Sequence, residues 1–290
     1  MAGYDVIIVG NGPAGLSAAL YTSRANLKTL VIGKDQGALA KAERIENYFG
    51  MAEPVSGCEL VENTKQQAKS LGAALVTDEI FHISWNQGFV LEGREGTYQA
   101  VSVLLATGSS RKKADIKGLA ELEGRGVSYC AICDAFFFRG RKVAVLGNEE
   151  YAVHGLGQLL PVAGSAVLLT NGKELLASAP EGVPVITKKI TSVNGEEEVA
   201  GVTFEDGSRL ELDGLFVALG SAGAVDLARK IGALTDGRSI QTDENMATNV
   251  PGLYAAGDCT GGLLQISTAV GEGAKAAMSM IKFVRQQKKG

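Results

Sequence analysis

The chain is poor in the residues that mark several large classes of protein. It has four cysteines and two histidines among 290 residues, far fewer than a secreted domain held together by disulfides would carry. Cys58 and Cys259 stand alone in the sequence, and His82 and His154 form no ligand pair. Because a structural zinc site takes several Cys or His ligands at short spacings, no metal site is expected.

Long apolar runs, a basic excess and a leader pattern are also missing. No apolar run approaches the length of a membrane-spanning helix, which is about 20 residues, so no membrane partner is expected. The formal net charge is −4, and a chain without a basic excess offers nucleic acid no broad docking surface. The N-terminal segment lacks the basic stretch, apolar run and cleavage site of a signal peptide, so a cytoplasmic location is expected.

Glycine, by contrast, is abundant, with 38 residues, and hydrophobic residues make up 46% of the chain. This balance suits α/β folds, in which tight glycine turns join buried strands to helices. A length of 290 residues fits one large domain or two of ordinary size.

A dinucleotide-binding unit is predicted at the N-terminus. Residues 4–9 form a continuous β-type run, residues 16–25 have a helical pattern, and residues 28–32 form a second strand. Between the first strand and the helix lies Gly10-Asn11-Gly12-Pro13-Ala14-Gly15. The first glycine makes the turn, the second lets a pyrophosphate approach the backbone, and the third lets the helix pack on the strand. The motif alone is weak evidence, and its place between strand and helix strengthens it.

The same plan occurs twice along the chain. The first copy continues with a helix at 59–71 and a strand meander at 75–105. The second copy has the following predicted segments: a strand at 142–146, a turn at Gly147, a helix at 149–160, a strand at 166–169 and a meander at 190–212. A last helix is predicted over 265–285.

We therefore predict an α/β fold of two Rossmann-like dinucleotide-binding-type domains, each with a β-meander, the second inserted in the first. The outer domain is discontinuous and comprises residues 1–113 and 240–290, and the inserted domain comprises residues 114–239.

Cys130-Ala131-Ile132-Cys133-Asp134 is the strongest chemical signal in the chain. Two cysteines at this spacing at the start of a helix form a disulfide that opens readily. Asp134 follows at once and is a candidate to carry a proton to or from the sulfurs. The same spacing also occurs in half of a zinc site and among core cysteines, but no further ligands lie near. A redox-active disulfide is therefore favoured.

An acid is predicted at the edge of the cofactor cleft. A strand at 253–256 leads into Gly257-Asp258, where a carboxylate can accept hydrogen bonds from sugar or ribityl hydroxyls. The helix that follows directs its N-terminal amides toward the same cleft, where they favour negative charge. An Asp in a glycine turn is common, and only its combination with the N-terminal glycine loop favours the cofactor role.

Together these motifs resemble the low-molecular-weight thioredoxin reductase family of flavoproteins. The matching segments follow the family's order over nearly the whole chain: Gly10 to Gly15, Ile45 to Gly50, Ala106 to Gly108, Cys130 to Asp134, and Ala255 to Asp258. The resemblance implies an FAD-binding outer domain, an inserted NADPH-type domain that carries the disulfide, and a homodimer. It also implies that Cys133 faces the flavin, that Cys130 attacks the disulfide of thioredoxin, and that Asp134 is the acid/base.

The resemblance also supplies candidate residues for binding FAD. They are Gly10, Gly12, Pro13, Ala14, Gly15, Lys34, Asn47, Ile80, Ala106, Thr107, Gly108, Gly257, Asp258, Gln265 and Ile266. Gly33 stands where NADPH-using relatives have a Glu that holds the adenosine ribose, so Lys34 or Asp35 is the candidate for that contact.

One segment departs from the family. The inserted domain there opens with a Gly-x-Gly-x-x-Ala turn that holds the NADPH pyrophosphate, whereas this chain has Gly147-Asn148-Glu149-Glu150-Tyr151-Ala152. Glu149 replaces the middle glycine, and repulsion between unit charges ~4 Å apart is about 4 kcal/mol at an effective dielectric near 20. The arginines that clamp the NADP 2′-phosphate are missing from residues 170–174. No functional NADPH site is therefore expected.

This combination resembles the ferredoxin-dependent flavin thioredoxin reductases more closely. They keep FAD and the cysteine pair but lack the nucleotide motifs, and Leu264 agrees with that branch where NADPH-using relatives have Arg. The resemblance implies ferredoxin as electron donor and thioredoxin as acceptor. Because ferredoxins are commonly acidic, a basic docking patch is expected. The candidates are Arg111-Lys112-Lys113 with Lys117, and Arg139 with Arg141-Lys142, although such runs are more often solvated loop charge.

Two other functions stay open at this point. One is an NAD(P)H-dependent thioredoxin reductase with an atypical nucleotide site. The other is a flavin redox sensor whose disulfide reports its state to a partner without turnover, and the cysteine pair with Asp134 favours turnover over that sensor.

Overall fold

The structure is a computed structural model and describes residues 3–108, 114–129, 131–220 and 223–289. The chain forms two compact units: Met1–Ser110 with Gly223–Gly290, and Arg111–Ala222. Residues 223–239 therefore lie in the outer unit, whereas the sequence analysis assigned them to the inserted one. No helix in the described ranges is long and apolar enough to cross a membrane.

The outer unit is built on one mixed sheet. Its strands, numbered in chain order, are β1 (Tyr4–Val9), β2 (Thr29–Gly33), β3 (Ala74–Thr77), β4 (Ile80–Trp85), β5 (Phe89–Gly93), β6 (Thr97–Leu105) and β15 (Leu253–Ala255). The order is β3-β2-β1-β6-β5-β4, and β15 also pairs with β6. The long strand β6 therefore has three partners: β1 pairs with it in parallel along one edge, and on the other edge its first half pairs antiparallel with β5 and its second half pairs parallel with β15.

One predicted element was assigned to the wrong part of this sheet. The meander was predicted to span residues 75–105, but β3 pairs in parallel with β2, with Leu30 opposite Ala74. The meander comprises only β4, β5 and β6. The physical reason is that β3 lies at the edge of the parallel sheet, so its side chains are exposed or only partly buried and lack the continuous burial of β2.

Four helices described in the outer unit cover this sheet. They are α1 (Pro13–Arg24), α2 (Gly57–Ser70), α5 (Ala224–Lys230) and α6 (Ile266–Gln287). Helix α1 begins at Pro13 because proline fits the first helical position, where its missing N–H would have no partner anyway. Ser56 caps α2 by accepting a hydrogen bond from the Glu59 amide at 3.1 Å. The core between α1, α6 and the sheet is built from small and branched apolar side chains.

The inserted unit repeats the parallel sheet. Its strands are β7 (Val127–Ser128), β8 (Lys142–Leu146), β9 (Ser165–Leu169), β10 (Val185–Ile186) and β14 (Gly214–Val217), in the order β10-β9-β8-β14-β7. A separate antiparallel sheet holds β11 (Ile190–Asn194), β12 (Gly201–Phe204) and β13 (Arg209–Glu211). The described helices are α3 (Ala131–Asp134) and α4 (Glu150–Leu159). The predicted fold class, two Rossmann-like domains each with a meander, is confirmed.

Candidate functional site

The carboxyl edge of the outer sheet gathers most of the predicted cofactor residues. Strands β1, β2, β6 and β15 run parallel, and Val9, Ile32, Leu105 and Ala255 lie in register across them. Because parallel strands end at one edge, the segments that follow them converge there. These segments are the glycine loop, residues 34–35, residues 106–108 and residues 257–258.

The glycine loop has the geometry that a phosphate cradle needs. Gly10 has φ +119°, and a β-carbon on it would lie 2.2 Å from the Ala106 carbonyl oxygen. A β-carbon on Gly15 would lie 1.9 Å from the Gly10 carbonyl oxygen. A β-carbon on Gly12, in contrast, would meet nothing within 4 Å. Thus Gly10 and Gly15 allow the chain to pack closely, while Gly12 leaves open space at the start of α1.

Residues 106–108 lie next to this loop and include a buried hydroxyl, that of Thr107. The Thr107 hydroxyl is buried, and no hydrogen-bond partner for it occurs among the described residues. A buried polar atom without a partner is unfavourable by about 1–3 kcal/mol. Thr107 therefore has a hydroxyl available for a ligand that enters the edge of the sheet.

The turn at Gly257-Asp258 is held by an acid that the sequence analysis missed. The Gly257 amide donates to Glu272 Oε2 at 2.7 Å, and the Thr260 hydroxyl contacts the same oxygen at 3.2 Å. Glu272 lies on α6, which crosses α1 closely because a β-carbon on Gly273 would come within 2.1 Å of the Ala14 carbonyl oxygen. Glu272 thus fixes Gly257-Asp258 to the helix that packs behind the glycine loop.

Lys34 also has a partner that the sequence did not reveal. Its ammonium lies 3.0 Å from the Glu79 carboxylate, whose side chain is 8% exposed. Glu79 precedes Ile80, a predicted cofactor residue that starts β4 and is buried. Asp35 is engaged locally, because its carbonyl accepts from Asn11 Nδ2 at 2.8 Å and its carboxylate accepts from the Gly37 amide. Of the two candidates for the ribose contact, Lys34 has its charged group held by the buried carboxylate of Glu79.

Asn47 and Gln265 meet across the same edge, although they are far apart in sequence. Asn47 Nδ2 lies 3.4 Å from Gln265 Oε1, and Ile266 begins α6. The structure thus places Asn47, Gln265 and Ile266 near one another.

The redox segment lies in the inserted unit. Cys130 lies outside the described residues, and Cys133 belongs to α3, although its side chain is not described. Asp134 ends α3 and accepts a hydrogen bond from the Ser128 hydroxyl at 2.6 Å. Ser128 ends β7 and was not singled out from the sequence. This bond joins the strand before the cysteine segment to the proposed acid/base after it.

The second glycine-type loop retains the framework of the first. A β-carbon on Gly147 would lie 2.2 Å from the Ala218 carbonyl oxygen, as one on Gly10 would from Ala106. Asn148 Nδ2 donates to the Glu174 carbonyl at 2.9 Å, as Asn11 does to Asp35. The framework of a Rossmann loop is therefore present in both units.

The two loops differ at the position that faces a phosphate. Gly12 and Glu149 are the N-cap residues of α1 and α4, and both have extended backbone with φ −80° and −121°. The first loop is therefore open at its N-cap residue Gly12, whereas the second loop has the Glu149 side chain at the corresponding position. Tyr151 stands where the first loop has Ala14, and it is buried.

The segment after β9 satisfies its polar groups internally. The Thr170 hydroxyl donates to the Lys173 carbonyl at 2.6 Å, and Asn171 Oδ1 accepts from the Ile190 amide at 2.7 Å. Family members are expected to carry phosphate-clamping arginines here, whereas Thr170 and Asn171 stabilise the turn itself.

Comparison with known proteins assigns the chain to a family. The model of the pyridine nucleotide-disulphide oxidoreductase family matches residues 4–273. The thioredoxin reductase of Aquifex aeolicus is 35% identical over 310 residues, which cover 99% of this chain and 95% of that protein. The chain belongs to this family and, within it, to the low-molecular-weight thioredoxin reductases.

Solved structures of this thioredoxin reductase family are also similar. The atypical thioredoxin reductase from Desulfovibrio vulgaris Hildenborough is 41% identical with a TM-score of 0.91, covering 97% of this chain and 98% of its own. A ferredoxin-flavin thioredoxin reductase from Clostridium acetobutylicum is 30% identical with a TM-score of 0.68, covering 96% and 97%.

Of the two basic patches predicted in this chain as candidate docking sites, only part lies in the described residues. Arg111, Lys112 and Lys113 lie outside the described residues. In the second patch, Arg141 and Lys142 each lie 3.8 Å from an acid, Glu198 and Glu211 respectively. Those exposed pairs lower the net positive charge of the second patch.

Cys259 lies beside Asp258 but is inert. Its sulfur is buried, 3.4 Å from the Leu105 carbonyl oxygen and 3.3 Å from that of Ala256. Burial raises the pKa of the Cys259 thiol to about 12. The Cys259 thiolate, the reactive form, is therefore scarce at neutral pH.

Proposed function

We propose that the protein is an FAD-dependent thioredoxin reductase that receives electrons from a reduced ferredoxin instead of NADPH. Two reduced ferredoxins, two protons and one thioredoxin disulfide would give two oxidised ferredoxins and one thioredoxin dithiol. A homodimeric assembly belongs to the same proposal, because it is implied by the family resemblance.

The outer unit fits FAD, which is the cofactor expected for this family. The open space at Gly12 and the amides at the start of α1 suit a pyrophosphate. Lys34 would reach the adenosine ribose, and Thr107 would find a partner for its buried hydroxyl. When bound, FAD would supply a carrier that accepts electrons singly and delivers them in pairs.

The acid Asp258 would hold the sugar-like chain of the cofactor. It follows Gly257, whose amide is tied to Glu272 at 2.7 Å, so the turn presents the carboxylate from a fixed backbone. Gln265 and Ile266 would complete the site at the start of α6.

The cysteine pair would carry out the exchange with thioredoxin. The Cys130 thiolate attacks one sulfur of the thioredoxin disulfide and forms a mixed disulfide, and the other thioredoxin sulfur leaves with a proton. The Cys133 thiolate then attacks Cys130, which releases the thioredoxin dithiol and leaves Cys130 and Cys133 oxidised. Asp134, which lies on α3 and accepts a hydrogen bond from Ser128 at 2.6 Å, would move the protons.

The observation that carries the choice of donor is Glu149. It occupies the N-cap position of α4 that corresponds to Gly12, so a side chain with negative charge stands where a pyrophosphate would approach. A helix N-terminus ordinarily attracts an anion, but a carboxylate at that position repels the negatively charged pyrophosphate of a nucleotide. The turn at Thr170 and Asn171, which lacks arginine, supports the same choice at the 2′-phosphate end.

One experiment separates the donors. The purified yellow holoenzyme is mixed in the absence of oxygen with NADPH, NADH or reduced ferredoxin, and flavin absorbance is followed before oxidised thioredoxin is added. We expect bleaching by ferredoxin only, followed by the appearance of thioredoxin dithiol. Rapid bleaching by NADPH would contradict the choice of donor and favour an NAD(P)H-dependent reductase.

The backbone of the second glycine-type loop favours testing an NAD(P)H-dependent reductase as the second candidate. Gly147 and Asn148 preserve the backbone framework of a nucleotide loop, so an altered mode of nucleotide binding is the alternative that the NADPH and NADH arms test. A protein that is bleached by ferredoxin but leaves thioredoxin oxidised would instead favour a redox sensor.

A further inference from the structure

One face of α4 supports the chain on both sides of Cys130. Tyr151 and Gly155 are four residues apart on α4, so they lie on the same face of the helix. The Tyr151 hydroxyl donates to the Tyr129 carbonyl oxygen at 3.3 Å. A β-carbon on Gly155 would lie 3.8 Å from the Ala131 β-carbon, its nearest neighbour. Tyr129 and Ala131 are the two residues that flank Cys130 in the chain.

A further bond holds the same segment at its ends. The Ser128 hydroxyl and the Asp134 carboxylate are 2.6 Å apart, so the chain from β7 to the end of α3 is closed on itself. Together with the Tyr151 bond, this bond fixes Ser128, Tyr129 and Asp134, while Gly155 lies next to Ala131.

The loop itself does not require a tyrosine at position 151. In the first loop the corresponding residue is Ala14, which is buried where α6 crosses. There a β-carbon on Gly257 would lie 3.0 Å from the Ala14 β-carbon, so only a small residue fits. In the second loop a buried tyrosine fills the equivalent position, 5% exposed, and its hydroxyl reaches the cysteine segment.

We propose that Tyr151 is a positioning residue for the redox pair. It belongs to the loop in which Glu149 replaces the middle glycine, and its hydroxyl holds the backbone of Tyr129, the residue before Cys130. This inference rests on the proposed role of Cys130 as the reactive thiol. A thiolate is stabilised by donors and dipoles held at fixed distances. Loss of the Tyr151 bond would let the backbone at Tyr129 move. The donors and dipoles would then no longer keep fixed distances to the Cys130 thiolate, and their stabilisation of it would weaken.

The expected effect is a change in thiol reactivity without a change in the cysteines. In Tyr151→Phe the ring is kept and only the donor is lost. The pH midpoint of Cys130 alkylation should rise by at most about one unit, because the lost bond is a single neutral hydrogen bond that acts on the sulfur only through the backbone of Tyr129. Tyr151→Phe leaves unaltered the other ionisable groups nearby: Cys133 and Asp134 on α3, Glu150 and His154 on α4, and Glu149 at the N-cap of α4.

The measurement uses the FAD-loaded protein with Cys58→Ser and Cys133→Ser, so that Cys130 is the one remaining cysteine besides the buried Cys259. Alkylation by iodoacetamide is followed against pH by mass spectrometry, with and without Tyr151→Phe. Tyr98→Phe is the matched control, because it removes a tyrosine hydroxyl bond to Asp78 in the outer unit. We expect a raised midpoint only with Tyr151→Phe, and an unchanged or lowered midpoint would overturn the proposal.

A second pair of variants tests the same face with Tyr151 intact. Gly155→Leu should push on Ala131 and raise the midpoint, whereas Gly155→Ala should not, because 3.8 Å is an ordinary contact for a β-carbon. If Tyr151→Phe fails to fold, Gly155→Leu decides the matter, and an unshifted midpoint in that variant would overturn the proposal.

These measurements need neither a donor nor thioredoxin, so they separate the inference from the proposed function. Reduction of thioredoxin by the unaltered protein together with an unchanged Tyr151→Phe midpoint would refute only the positioning role. A shifted midpoint in a protein that never reduces thioredoxin would refute only the proposed function.

Discussion

At the scale of single residues, the two glycine-type loops differ most where a phosphate must approach. Gly12 leaves space at the start of α1, and Glu149 occupies the same backbone position at the start of α4. The surrounding framework is shared, since Gly10 and Gly147 make the same close approach to a carbonyl oxygen. The difference between a loop that binds a pyrophosphate and one that does not is therefore expected to lie in this side chain.

That expectation gives a prediction about the outer unit. Gly12→Glu places a carboxylate where the FAD pyrophosphate is expected, and at about 4 kcal/mol of repulsion the affinity for FAD should fall by several hundredfold or more. The purified variant should be colourless, and titration with FAD should restore flavin fluorescence quenching only at far higher concentration. Gly157→Glu is the control, because a β-carbon there also meets nothing within 4 Å but lies on α4. A yellow Gly12→Glu protein with ordinary FAD affinity would refute the assignment of the loop.

At the scale of elements, α5 is anchored in the outer unit by a part-buried lysine. Lys230 Nζ donates to the Phe81 carbonyl oxygen at 2.6 Å, and Asp226 caps the start of the helix at the Gly223 amide. Burial lowers the pKa of Lys230 to about 8, against the attraction of Asp226 and Glu92. Since α5 follows the inserted unit in sequence, this anchor fixes the element by which the chain re-enters the outer unit.

The lowered pKa predicts how stability depends on pH. Between pH 8 and the ordinary pKa of 10.5, the unfolded chain binds a proton at Lys230 that the folded chain has released, so stability contributed by this group rises with pH. The thermal midpoint of the natural protein minus that of Lys230→Met should therefore grow across this range. Lys275→Met, at an exposed lysine on α6, should give a constant difference. Parallel curves for the natural protein and Lys230→Met would refute the pKa assignment.

The elements also show what sequence patterns determine. The buried runs of β1 and β8 were predictable because a parallel strand covered on both faces is apolar throughout. Strand β3 was misassigned because an edge strand lacks the continuous burial that marks the inner parallel strands. Residues 223–239 were placed in the inserted domain because pattern alone does not show where a short helix packs. Glu272, Glu79 and Ser128 were missed because their roles depend on contacts between segments distant in sequence or across a turn. Comparison of the two loops in the sequence would have drawn attention to Tyr151 opposite Ala14.

At the scale of the whole molecule, the chain contains one architectural plan twice, and the two copies have separate expected roles. The outer copy has the open loop, a Thr107 hydroxyl with no hydrogen-bond partner among the described residues, and the turn at Gly257 fixed by Glu272, which together suit a dinucleotide cofactor. The inserted copy has the cysteine segment packed against a loop that carries Glu149 and Tyr151. The family was predictable because its motifs are spread over the chain, whereas the donor is a property of a partner and leaves only indirect marks in the sequence.

The central claim, that the inserted copy carries a dithiol and binds no nucleotide, is tested most directly by nucleotide binding itself. NADPH and NADH are titrated by calorimetry into the oxidised FAD-loaded protein and into Glu149→Gly, which should still lack the 2′-phosphate contacts. The account predicts no saturable heat up to millimolar nucleotide for the natural protein, and none with NADPH for Glu149→Gly. Saturable binding of NADPH to the natural protein in the micromolar range would contradict it.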